Sequence, residues 1–194
     1  MTPPEAADTL APMTHRVQPN ILIIGLRGAG KSTTGRALAD RLSRAFVDLD
    51  QRTLAIMNAP TVAQAWREQG EPAFRDAESR ALAEVLALTG AVVSLGGGTP
   101  TAPGCERMIR DEIGAGRAIV VYLHADPHLL ADRVRHDPPE HRPRLLGLDH
   151  AEAEREMELV YARRDPLYRS LATHIIDASA GARSVLDAVA RAIV

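Results

Sequence analysis

Apolar residues fall along this chain in two rhythms: short unbroken runs, and longer stretches in which they recur every three to four positions. The short runs lie within Ile21–Ile24, Phe46–Leu49, Ala91–Leu95, Arg117–Leu123 and His174–Asp177. Between them, helical spacing covers residues 31–44, 61–69, 75–89, 104–115, 126–135, 150–163 and 181–193. Apolar runs that do not alternate with polar residues describe strands covered on both faces. Helices placed between such strands return the chain so that each strand starts parallel to the last. The pattern therefore predicts an α/β fold of three layers, with a central parallel sheet of five strands and helices on both faces. In sheets of this kind ligands gather beyond the carboxyl ends of the strands. The glycine and acidic clusters sit there: Gly25 to Ser32 after the first strand, Asp48 and Asp50 at the second, Gly96 to Gly98 after the third.

The first cluster reads Gly25-Leu-Arg-Gly28-Ala29-Gly30-Lys31-Ser32. It satisfies the G-x-x-x-x-G-K-[ST] pattern in the context that pattern requires, a strand entering a loop that opens a helix. Its glycines let successive backbone N–H groups turn toward a polyphosphate, where a Cβ would block the approach. Lys31 brings a mobile positive charge for the outer phosphates, and the Ser32 hydroxyl is a ligand for Mg²⁺. The helix N-terminus adds partial positive charge at the same anion.

Composition narrows the remaining classes. At 194 residues, 45% hydrophobic and 25% charged, the chain fits one soluble domain. With 2 Phe, 3 Tyr and 1 Trp, the core must be aliphatic. Net charge is −2, from 23 basic and 25 acidic residues, so there is no general basic field for nucleic acid or an acidic membrane. A single cysteine, Cys105, excludes an internal disulfide, fits a reducing compartment, and is expected in a loop or helix cap. Residues 1–19 are Pro-, Ala- and Thr-rich without the apolar core of a signal peptide, and read as a disordered tail before a domain at 20–194. Cytoplasmic location and a monomeric state are the expectation. The proline-rich stretch Asp137–Arg144 reads as an exposed, mobile loop. The histidines lack zinc-site spacing, and Trp66 is assigned to the core.

A phosphate loop specifies the donor and leaves the acceptor open. Four further features address the acceptor. Asp48-x-Asp50 at a strand end offers two carboxylates, one for Mg²⁺ and one for a hydroxyl. Arg75 and Glu78 share a helix face, which alone would fit a surface ion pair. Gly96-Gly97-Gly98 lets a ligand lie against bare backbone. Arg163 and Arg164 offer a fork for a carboxylate.

Together these residues resemble the shikimate kinase family, within the group of small phosphate-loop kinases with a mobile lid. The matching elements run in order: Gly28 to Thr33, Asp48-x-Asp50, Gly70-Glu71-x-x-Phe74-Arg75-x-x-Glu78, Gly96 to Gly98, an Arg-Pro pair at Arg142, and Arg164-x-Pro166-Leu167-Tyr168. The resemblance implies ATP and Mg²⁺ on one side and shikimate, phosphorylated on its 3-hydroxyl, on the other. Gly28, Ala29, Gly30, Lys31, Ser32 and Thr33 would surround the phosphates, with Ser32 and Asp48 organising the metal. Asp50 would meet the ring hydroxyls, as proton acceptor or as an orienting group. Arg75 and Arg164 would grip the carboxylate, and Gly97 and Gly98 would line the ring. Arg135 would reach the adenine end, and Arg142, in a lid at about 136–147, would close over the phosphates. The sequence departs from the family at Arg142-Pro143-Arg144-Leu145-Leu146, where Arg144 is inserted and becomes a second candidate for the lid. A gluconate kinase would share the phosphate loop without reason to carry Arg75, Arg164 and the triple glycine. A ligand-sensing regulator would need a DNA-binding module, which 19 residues before Asn20 cannot supply.

Overall fold

The computed structural model describes residues 18–135 and 153–193. The expected lid at 136–147, with Arg142 and Arg144, and tail residues 1–17 lie outside the described residues. Five strands, β1 (Asn20–Ile24), β2 (Phe46–Asp48), β3 (Val92–Ser94), β4 (Ala118–His124) and β5 (His174–Asp177), form one sheet in the order β2-β3-β1-β4-β5. Every pairing is parallel, with Ile21 opposite Val92 on one side and Ile119 on the other. The central strand β1 is buried along its whole length, as its unbroken Ile-Leu-Ile-Ile run requires. Helices α1 (Lys31–Leu42), α2 (Leu49–Met57), α3 (Val62–Leu86), α4 (Cys105–Gly114), α5 (Pro127–Val134), α6 (Ala153–Leu171) and α7 (Ala182–Ala192) supply the outer layers. Gln18 and Pro19, assigned to the tail, bond to the body: Gly90 N–H donates to the Gln18 carbonyl at 2.9 Å and Arg44 to that of Pro19 at 3.2 Å.

Three elements depart from the expected pattern. First, the Asp48–Asp50 segment does not continue as a strand. Asp48 ends β2 and caps α2, its Oδ1 accepting from the Asp50 N–H at 3.1 Å. The two carboxylates are therefore placed by a helix N-terminus, with Asp50 in its first turn, and strand alternation plays no part. The helix itself escapes a periodicity reading because it is 9 residues long and buries only Leu49, Thr53 and Met57. Second, α3 spans both expected helices, 61–69 and 75–89, but breaks between them at Gly70, whose φ of 82° and ψ of 162° are not helical. Third, α6 runs on past residue 163 to Leu171, through Pro166. A proline there removes a backbone donor. Side chains on either side hold the helix to the sheet: Tyr122 on β4 donates to Asp165 Oδ1 at 2.9 Å, and Tyr168 and Leu171 are buried.

A main core fills both faces of the sheet, and a smaller cluster of Met57, Ala65, Phe74 and Ala77 joins α2 to α3. Cys105 is the first residue of α4 and is fully buried, which pushes its thiol pKa up.

Candidate active site

The phosphate loop leaves the carboxyl end of β1 and enters α1 through Gly30, which takes a left-handed φ of 82° that glycine alone adopts readily. No side chain of the described residues caps α1, so its first N–H groups face the loop. Lys31 is buried, its Nζ donating to the Leu26 carbonyl across the loop at 3.0 Å. Ser32 Oγ donates to Asp48 Oδ2 at 2.7 Å and stands 3.3 Å from Ser94 Oγ at the end of β3. Asp48 thus has two tasks, one oxygen on the α2 N-terminus and one on Ser32. Three hard oxygen donors converge here, a set suited to Mg²⁺ with part of its water shell retained. Ala29 is buried and contributes backbone only, while the Ser32 and Thr33 positions are exposed.

Next to the loop, Asp50, Arg75, Gly97, Gly98 and Arg164 all line one cleft of about 570 Å³, part of it open to solvent. Arg75 projects from the second half of α3, just past the Gly70 break. Its Nη1 donates to Glu78 Oε2 at 2.8 Å, and the Glu78 side chain is only 2% exposed. The pair is therefore buried, and the surface ion pair that spacing alone would allow is ruled out. The other oxygen of Glu78 accepts from Thr99 Oγ1 at 2.6 Å. Burial works against the charge of Arg75, but Glu78 and then Glu71 outweigh it and raise the pKa. Its guanidinium also lies 5.3 Å from the Trp66 ring centroid.

Glycines between these groups have a steric purpose. A Cβ on Gly96 would run into the Asp50 carboxylate and come within 2.8 Å of both Glu78 Oε1 and Thr99 Oγ1. A Cβ on Gly98 would run into the Arg75 guanidinium. The triple glycine is thus shaped by the protein's own charged side chains as well as open to a ligand. Arg164, on α6, donates from Nη1 to the Gly97 carbonyl at 2.7 Å, and the Tyr168 hydroxyl donates to that same oxygen. Burial pushes the Tyr168 phenol up to about 12.

Arg135 is placed elsewhere. It ends α5 in an exposed position, bonded to Asp132 at 2.9 Å and Glu154 at 3.1 Å. Several cleft residues have no site role in the sequence reading, among them Glu78, Trp66 and Arg27. Glu78 is expected as an ion-pair partner of Arg75 and as a member of the family motif, without a place in the cleft. Trp66 packs against the smaller core cluster as expected, yet also lines the cleft. Arg27 occupies a variable position of the phosphate-loop pattern, so no motif marks it.

Comparison with known proteins agrees with this geometry. A family model described as "Shikimate kinase" matches residues 27–194. A protein of Pectobacterium carotovorum named shikimate kinase 2 is 38% identical over 185 residues, covering 93% of this chain and 97% of its own. One of Burkholderia thailandensis named shikimate kinase is 39% identical over 158 residues, covering 81% of this chain and 80% of its own. Among solved structures, shikimate kinase from Acinetobacter baumannii in complex with shikimate superposes with a TM-score of 0.80 at 33% identity, covering 91% of this chain and 93% of that one. A gluconokinase from Sinorhizobium meliloti, at 16% identity and a TM-score of 0.55, shares the fold alone.

Proposed function

The chain belongs to the shikimate kinase family, and we propose that the cleft beside its phosphate loop holds shikimate by its carboxylate and hydroxyls. The protein phosphorylates the 3-hydroxyl of shikimate with ATP, a step of aromatic amino acid biosynthesis. The observation that carries the site assignment is one cleft containing a paired set of cations, Arg75 and Arg164, opposite a carboxylate, Asp50, at the mouth of a phosphate loop. The cations suit a carboxylate, and Asp50 suits a ring hydroxyl.

Phosphoryl transfer passes through a loose transition state, so the protein's work is alignment and charge stabilisation. Residues Gly28 to Thr33 cradle the phosphates, and Lys31 turns from the Leu26 carbonyl to the transferring group. Ser32 and Asp48, with Ser94 beside them, would hold Mg²⁺, which when bound neutralises phosphate charge. Asp50 orients the acceptor hydroxyl, and Gly97 and Gly98 line the ring. Arg142, seven residues beyond Arg135, is the residue we assign to the phosphates, with Arg144 as the alternative. Arg135 would exchange its two carboxylate partners for the adenine end. Among the described residues no helix is long and apolar enough to cross a membrane. Among the described residues the large exposed apolar side chains, Leu88 just past α3, Leu159 on α6 and Ile175 on β5, share no element, which is in keeping with a monomer. The buried thiol of Cys105 supports a cytoplasmic setting.

The test is product analysis by ³¹P NMR after incubation with ATP, Mg²⁺ and shikimate. A new phosphate monoester coupled to the ring proton at carbon 3, in step with ADP, is expected. ADP with inorganic phosphate alone would overturn the reading.

A further inference from the structure

Arg27 lies inside the phosphate loop, yet it lines the acceptor cleft with Asp50, Arg75 and Arg164. Its guanidinium is fixed from the far side of the molecule in sequence: Nη2 donates to Glu156 Oε1 at 2.8 Å, across 129 residues. The pair is largely withdrawn from water, with side-chain exposures of 17% for Arg27 and 5% for Glu156. Its Nε is buried with no hydrogen-bond partner among the described residues. A residue kept only for stability would not retain an unsatisfied donor on a buried cation, because burying both is costly. Glu156 belongs to the first turns of α6, the same helix that carries Arg164 into the cleft.

We propose that Arg27, aimed by Glu156, is a further substrate-binding residue, one that holds the acceptor from within the phosphate loop. This rests on the reading that the cleft takes shikimate. The nucleotide phosphates follow the loop backbone and Lys31, whereas Arg27 is itself one of the residues that line the acceptor cleft. The backbone of Arg27 therefore moves with the donor while its charge contacts the acceptor, so one residue sets the distance between the two. Glu156 is a positioning residue that acts through Arg27 and ties that distance to α6.

Steady-state kinetics of the full chain test this, with Arg27→Met, Glu156→Ala and the double variant compared with wild type. Arg27→Met keeps the apolar stem, and should raise the KM for shikimate about tenfold, as loss of a charge-assisted hydrogen bond does, with the KM for ATP unchanged within twofold. Glu156→Ala should shift the same constant in the same direction by less. The double variant should lose no more than Arg27→Met alone, which a merely structural role for Glu156 would not produce. A shikimate KM unchanged in Arg27→Met, an equal rise in both constants, or additive losses in the double variant would each overturn the proposal. Should Glu156→Ala fail to fold, Glu156→Gln and Arg27→Lys supply the same cycle. Absence of shikimate turnover in the wild type would instead count against the function itself.

Discussion

At the scale of single residues, the site economises by giving one group two partners. Asp48 closes the N-terminus of α2 with one oxygen and takes the Ser32 hydroxyl with the other. The Gly97 carbonyl accepts from both Arg164 and Tyr168. Glu78 divides its oxygens between Arg75 and Thr99. In the proposed site, Lys31 is the side chain whose removal would bear most directly on the reacting phosphoryl group. Lys31→Ala should keep the fold, by circular dichroism, and lower kcat by about 10²–10³-fold, the usual loss when a preorganised charge is withdrawn from a transition state. Turnover within threefold of wild type would exclude Lys31 from the chemistry.

Elements place these residues, and they differ in how openly the sequence declares them. The strands and the phosphate loop are legible because their signals are local: the Ile21–Ile24 run followed at once by Gly25 to Ser32. The edge proposed to hold the acceptor is legible for the same reason, since Asp50, Arg75 and Gly97 all follow strands or helix starts that can be recognised in place. Helix α2 is hidden because its signal is an aspartate cap, and the same two carboxylates read equally well as a strand end. The C-terminal half of α6 is hidden because Pro166 opposes it locally, and long-range contacts such as Tyr122–Asp165 and Tyr168–Gly97 restore it. Arg27 could not be found from sequence, since what defines it is a partner 129 positions away. The Gly96–Gly98 turn makes a sharp prediction at this scale. Gly98→Ala would drive a methyl into the Arg75 guanidinium, and a displacement near 1 Å should raise the KM for shikimate roughly tenfold to hundredfold. Trp66 is the chain's only tryptophan and lines the cleft, so its fluorescence on adding shikimate should follow the same loss. Wild-type affinity in Gly98→Ala would show that Arg75 does not need its present place.

For the whole molecule, the sheet order β2-β3-β1-β4-β5 brings the ends of β1, β2 and β3 side by side, so the phosphate loop, the Asp48 and Ser94 oxygens and the glycine turn share one edge. Helix α6 then packs across that edge and carries Arg164, Tyr168 and Glu156 to it. The buried Tyr168 phenol links this packing to pH. Its pKa is raised to about 12, against about 10 in an unfolded chain. Stability from the neutral phenol is fully present below pH 10 and is lost as pH rises toward 12. The shift corresponds to roughly 3 kcal/mol. Thermal melts from pH 8 to 11.5 should therefore fall steeply above pH 10 in wild type and more gently in Tyr168→Phe, which lacks the titrating group. Parallel curves would mean that the phenol is not buried as described.

Shikimate is the acceptor, and in the proposed site its carboxylate is gripped in the cleft by Arg164 beside Arg75; this grip has a direct kinetic consequence. It is tested most directly by steady-state ADP release from wild type and Arg164→Ala, with ATP and shikimate varied in turn and gluconate as the control acceptor. Wild-type ADP release should depend on shikimate and not on gluconate. Arg164→Ala should raise the shikimate KM at least about tenfold, as expected when one arm of a bidentate carboxylate site is removed, with the ATP constant within twofold. ADP release indifferent to shikimate in the wild type, or an equal rise of both constants in the variant, would contradict it.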